Sequence, residues 1–107
     1  MSDIVALEPI LQRFRHEVGT LYGVRLERVV LFGSRARADG HADSDYDIAV
    51  FITRPDELWD ELGHLSHITT RILDETGAIV SASPFPAGAW REQSPLMREI
   101  CEDGIDL

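Results

Sequence analysis

Two carboxylates one residue apart, Asp45 and Asp47, head the apolar run Ile48-Ala49-Val50-Phe51, and the pair Gly33-Ser34 closes an earlier one, Val29-Val30-Leu31-Phe32. Alternate residues of a strand face the same way, so Asp45 and Asp47 point to one side together. Hard oxygen ligands side by side suit Mg²⁺, and backbone N–H groups converging at a Gly-Ser turn suit phosphate. The chemistry expected is that of a metal–nucleotide site.

Two neighbouring strands, over residues 28–32 and 45–52, must carry those groups. The first is rich in Val and Leu without alternation, as in a strand buried on both faces. From Ser34 to Ala38 the chain can form one helical turn, which would aim N–H groups and a partial positive charge at an anion. Upstream, Ile4, Leu7, Leu11, Phe14 and Val18 predict a helix over 3–18, capped by Ser2 and stopped by Gly19. Downstream, Leu58, Leu62, Leu65, Ile68 and Ile72 predict a second helix, from a cap at Asp56 to about Glu75, closed by Gly77. A third strand is expected over 78–83, ended by Pro84-Phe85-Pro86. Ser94-Pro95 opens a short helix with Leu96, Met97 and Ile100 on its apolar side, Gly104 ends it, and Ile105 and Leu107 dock on the core. The expected fold is α+β, a small mixed β-sheet with helices packed on it, in a single domain over 1–107.

Composition narrows the function. The chain of 107 residues carries 19 acidic against 10 basic side chains, a net charge of -9, which repels a polyanion and argues against bulk nucleic-acid binding. A small nucleotide differs, because Mg²⁺ offsets its charge locally. Asp3, Glu8, Arg13, Arg15 and Glu17 interrupt the first twenty residues, so neither a secretory signal nor a membrane span is expected there, and the expected location is cytoplasmic. The one cysteine, Cys101, is read as a small packing residue. His64 and His67 lack an acidic co-ligand in pattern and are read, with Trp59, as structural or surface residues. His41 lies in the loop within reach of a nucleotide, but without an orienting partner it reads as an exposed side chain. Tyr46 points opposite to the aspartates and reads as packing.

The segment Leu31-Phe32-Gly33-Ser34-Arg35-Ala36-Arg37, ten residues between Ser34 and Asp45, and then Asp45-Tyr46-Asp47-Ile48 resemble the signature of the nucleotidyltransferase superfamily related to DNA polymerase beta. The short length places the chain nearest the minimal, MNT-type branch. The resemblance implies that Gly33 and Ser34 hold the triphosphate of ATP, with Arg35 and Arg37 offsetting its charge. Asp45 and Asp47 would be the catalytic pair, binding two Mg²⁺ ions that align an attacking hydroxyl with the alpha-phosphate. It also implies a protein partner, because many such proteins are antitoxins of a HEPN-family ribonuclease, neutralising it by binding and, in some, by adenylylating it. Transfer of AMP from ATP to a partner hydroxyl is the expected activity. A nucleotide-binding antitoxin acting by contact alone is the alternative. A third reading is transfer to a small molecule such as an aminoglycoside, for which a homodimer would supply the missing wall.

The pattern departs from the superfamily in one place. Catalytically complete members take a third carboxylate from the next strand, yet that stretch reads Gly77-Ala78-Ile79-Val80-Ser81-Ala82-Ser83. Ile79 or Ser81 falls where the carboxylate is expected, and a serine hydroxyl is a feeble Mg²⁺ ligand beside a carboxylate.

Overall fold

A computed structural model describes residues 8–37 and 45–107. The expectations for Ser2, Ile4, Leu7 and His41 fall outside them. In chain order the elements are α1 (Pro9–Tyr22), a 3-10 turn (Gly23–Arg25), β1 (Leu26–Phe32), β2 (Tyr46–Ile52), α2 (Leu58–Thr76), β3 (Val80–Pro86), a 3-10 turn (Ala89–Arg91), α3 (Pro95–Asp103) and β4 (Ile105–Asp106). Among the described residues the strands form one mixed sheet in the order β3-β2-β1-β4. Its β2–β3 pairing is parallel, and β1 is antiparallel to both β2 and β4. The α+β class and the mixed sheet are as expected. No described helix is long and apolar enough to cross a membrane.

Strand alternation sorts β2 between two cores. Tyr46, Ile48, Val50 and Ile52 pack with Leu11, Phe14 and Val18 of α1 and Leu65, Ile68 and Ile72 of α2. Ala49 and Phe51 pack on the opposite face with Val30, Ala89, and Met97 and Ile100 of α3. Asp47 shares the parity of Ala49 and Phe51, so its side chain belongs to the α3 face.

The helix boundaries correct three expectations. Within the described residues α1 starts at Pro9, because proline disfavours helical backbone in the residue before it, and Glu8 is extended at φ -76°, ψ 120°. Nor does Gly19 stop it. Leu11, Phe14, Val18 and Tyr22 continue one buried stripe past Gly19, and the chain leaves the helix at Gly23, with φ +56°. At α2 the N-cap is Glu57 rather than Asp56. Asp56 contributes its N–H instead, donated to Glu61 Oε2 at 3.1 Å. At α3 the Ser94 hydroxyl accepts from the Met97 N–H at 3.1 Å, with Pro95 following, as the sequence predicts.

Pro84-Phe85-Pro86 does not end the third strand, and the register explains why. The Tyr46 N–H donates to Ile79 O and the Ala87 N–H to Ile52 O, at 2.9 Å each. Odd-numbered residues of β3 therefore turn their polar groups to β2, and even-numbered ones turn theirs outward. Pro84 and Pro86 sit at outward positions of an edge strand, where a missing N–H removes no sheet bond. Phe85, between them, stacks on Phe51 at 5.5 Å.

Ile105 and Leu107 dock as expected. Leu31 pairs with Ile105, and the Leu107 N–H donates to Val29 O at 2.9 Å. Cys101 is exposed rather than packed, on the flank of α3 next to Met97, its Sγ 3.4 Å from Trp90 O.

Candidate nucleotide and metal site

Phe32 is paired with Asp47 across the β1–β2 ladder, so the residue after β1, Gly33, lies beside that carboxylate. Gly33 is buried with φ +78°, and a Cβ built on it would stand 2.5 Å from Asp47 Oδ2. The carboxylate thus fills the space a side chain would need, and the backbone adopts a conformation that favours glycine. The chain then closes one helical turn, with the Ala36 and Arg37 N–H groups donating to Gly33 O at 3.1 and 3.2 Å. The Ser34 N–H lies at the start of that turn, outside its hydrogen bonds, where an anion is favoured.

The two arginines of the motif part company. Arg35 lies on the α1–α2 side, its guanidinium carbon 4.0 Å from the centre of the Tyr46 ring and its Nη1 3.8 Å from Glu8 Oε1. Tyr46 donates its hydroxyl to the same Glu8 Oε1 at 3.4 Å and packs in the core, as expected. Arg37 lies on the α3 side, with Nη1 3.5 Å from Glu99 Oε2 and 3.9 Å from Asp103 Oδ2. Gly33, Arg37, Asp45 and Asp47 lie together, with Ser34 next in the turn, and Arg35 lies over Tyr46 on the other side of the sheet.

Burial pushes the Asp47 carboxyl above its ordinary value, Asp45 and then Glu99 push it further, and Arg37 opposes them. A carboxyl raised in the folded state loses stability by ionising there, and the loss fades as pH falls and it protonates. Asp47→Asn is therefore expected to raise the thermal midpoint of the ligand-free protein at pH 7. The gain should shrink on acidification, as read by differential scanning calorimetry.

The third strand places Ser81 directly beside Asp47 in the parallel register, so the departure seen in the sequence carries into the structure. Among the described residues no three acidic, histidine or cysteine side chains are grouped to hold a metal ion. Glu99 and Asp103, one helical turn apart on α3, are the carboxylates the sequence reading missed. Their i, i+4 spacing is visible in the chain, but nothing local shows that α3 returns across the sheet to meet Arg37. The remaining donor set still fits a hard divalent cation. Asp45 and Asp47 offer carboxylate oxygens beside a glycine cradle, and phosphate oxygens of a nucleotide commonly complete such a shell.

The sequence matches the family described as Polymerase beta, Nucleotidyltransferase over residues 21–83, more than half of the chain. A Methanocaldococcus jannaschii protein named as a protein adenylyltransferase is 37% identical over 43 residues, which are 40% of this chain and 43% of that relative. The match thus spans less than half of the relative's own length. A nucleotidyltransferase crystal structure from Sulfolobus solfataricus superposes with a TM-score of 0.65 at 23% identity, covering 91% of this chain and 75% of that one. A toxin–antitoxin structure with AMP-PNP gives a TM-score of 0.56 at 18% identity, covering 87% and 68%. A second, of a MntA–HpeT mutant, gives 0.55 at 17%, covering 86% and 68%. These last likenesses speak to the fold alone. With the Gly-Ser turn set against the Asp-x-Asp strand and the family match running through both, the chain belongs to the nucleotidyltransferase family of the DNA polymerase beta type.

Proposed function

We propose that this chain transfers AMP from ATP, with Mg²⁺, to a hydroxyl of a protein partner, and that the partner is a HEPN-type ribonuclease for which it serves as a minimal, cytoplasmic antitoxin. The observation that supports the reading is the seating of the Asp47 carboxylate against the Gly33 turn, the two halves of the motif read as metal ligand and phosphate cradle. The Ser34 N–H and hydroxyl hold phosphate oxygens, and Arg37 offsets charge on them. Asp45 and Asp47 hold the cation, which when bound stabilises the entering and leaving oxygens. The acceptor hydroxyl attacks the alpha-phosphorus, its proton passes to solvent or a carboxylate, and pyrophosphate leaves. The relative named as a protein adenylyltransferase supports the acceptor class, and the shared fold of a toxin–antitoxin structure with AMP-PNP agrees with a toxin as partner and an adenine nucleotide as substrate.

A second reading, neutralisation by contact without turnover, is favoured by Ser81 standing where a third carboxylate would complete the chemistry. One experiment separates the two. The partner encoded beside this chain is incubated with it, ATP and Mg²⁺, and the mass of the partner is measured. A gain of one or more AMP, lost in Asp45→Ala and in Asp47→Ala, is the expected result. An unchanged partner mass, with neutralisation intact in both variants, would establish the contact-only reading.

A further inference from the structure

Helix α2 buries Glu61, Leu65, Ile68 and Ile72. Its other apolar residues are exposed: Leu58 at 40%, Trp59 at 81%, Leu62 at 37% and Leu73 at 43%. At about 100° per residue, Leu58, Leu62 and Leu73 fall within about 60° of one another and Trp59 about 40° beyond, so the four share one flank. The opposite flank, with His64, His67 and Arg71, lines a groove against His16, Thr20 and Leu21 of α1. The apolar flank therefore faces away from α1, beside β3, on which α2 packs and which is the edge of the sheet.

Two observations say what covers this flank. Sheet extension is blocked, because Pro84 and Pro86 occupy outward positions of β3 and leave only Val80 and Ala82 with outward N–H groups. The occupant must then pack on α2 itself, along a stripe from Leu58 to Leu73 of about 22 Å. Charge selects its chemistry. Asp56 and Glu57 are exposed just before Leu58 at the start of the stripe, and Asp74 is exposed beside Leu73 at its far end, on a chain of net charge -9. A second copy would set like charges against one another, whereas a basic surface would be drawn in.

We infer that the exposed flank of α2 is a docking surface for an amphipathic helix of a protein partner, with leucine-type side chains on one face and lysine or arginine around them. In naming a protein partner this rests on the function proposed above, but it does not use the Asp45–Asp47 site. The test titrates the full chain, without nucleotide, by calorimetry. The probe is a synthetic helical peptide of about 16 residues, with leucines along one face and lysines elsewhere; its counterpart carries glutamates in place of the lysines. Saturable one-to-one binding of the lysine peptide is expected, at least tenfold weaker in Leu62→Glu and in Trp59→Glu. It should be unchanged in Leu96→Glu, which adds the same charge at an exposed leucine of α3. Equal binding by all the variants, or by the glutamate peptide, would overturn the surface. So would a dimer in light scattering that Leu62→Glu disperses, since a second copy would then be the occupant. A chain that adenylylates its partner but fails this titration loses only the docking assignment.

Discussion

Gly33→Val is expected to abolish Mg²⁺-ATP binding and to destabilise the protein by about 1–3 kcal/mol, the usual cost of a side chain forced into left-handed backbone. The position is strained for any L residue at φ +78°, and a β-branched side chain is the least tolerant of it. The steric conflict adds to this, because the new Cβ would meet Asp47 Oδ2 at 2.5 Å and one of the two must move. Either movement separates the Gly33-Ser34 turn from the Asp47 carboxylate, the pair on which the proposed site depends. Calorimetric titration with Mg²⁺-ATP and a denaturant melt read the two effects. A variant with wild-type affinity would mean that the contact between Gly33 and Asp47 has no part in binding.

Removing the buried carboxylate of Glu61 is the second large effect, and it acts on stability alone. Glu61 is 1% exposed and accepts four bonds of 3.1 Å, from the Tyr22 hydroxyl, Arg25 Nη2, the Asp56 N–H and the His64 ring. It thereby ties the end of α1 and the strand entrance to the first turns of α2. Arg25 also donates to Thr53 O and Arg54 O, so it belongs to the same corner. Glu61→Ala leaves the buried Tyr22 hydroxyl without its acceptor and Arg25 without its carboxylate partner. Breaking such a pair costs about 3 kcal/mol, the low end of the usual range because Arg25 is about a third exposed and partly screened. A fall of more than about 10 °C in the thermal midpoint is expected.

The same group sets an acid limit. Burial raises the Glu61 carboxyl, but the bonds from Asp56, His64 and Tyr22 and the charge of Arg25 outweigh it and hold it below the ordinary 4.5. A depressed carboxyl stabilises the fold fully above its unfolded value and loses that contribution as pH falls through its folded one. The difference between wild type and Glu61→Ala should therefore be constant near neutrality and shrink below about pH 4.5.

Much of the site could be read in the chain because its parts are local. Val29 to Phe32 and Ile48 to Phe51 are uninterrupted apolar runs, and the Gly-Ser and Asp-x-Asp pairs lie at their ends. What could not be read depended on neighbours distant in sequence. Arg35 and Arg37 look alike in a loop, and only the packing of Tyr46 under Arg35 and of α3 beside Arg37 separates them. Pro84 and Pro86 read as strand breakers until the sheet order puts β3 at an edge. Gly19 read as a stop because the apolar stripe continues only at Tyr22, one turn later. Glu61 gave no signal at all, since a glutamate on a charged helix looks solvated until Tyr22 and Arg25 close over it.

Whether Asp45, Asp47 and the Gly33-Ser34 turn form one metal–nucleotide site, as proposed, is read most directly by calorimetric titration of ATP with and without Mg²⁺. Wild type is predicted to bind ATP only with Mg²⁺, and Asp45→Ala to bind it more weakly by at least the roughly 10–100-fold that loss of even an outer-shell partner of a metal ligand costs. Equal affinity in the two proteins, or ATP binding indifferent to Mg²⁺, would contradict it.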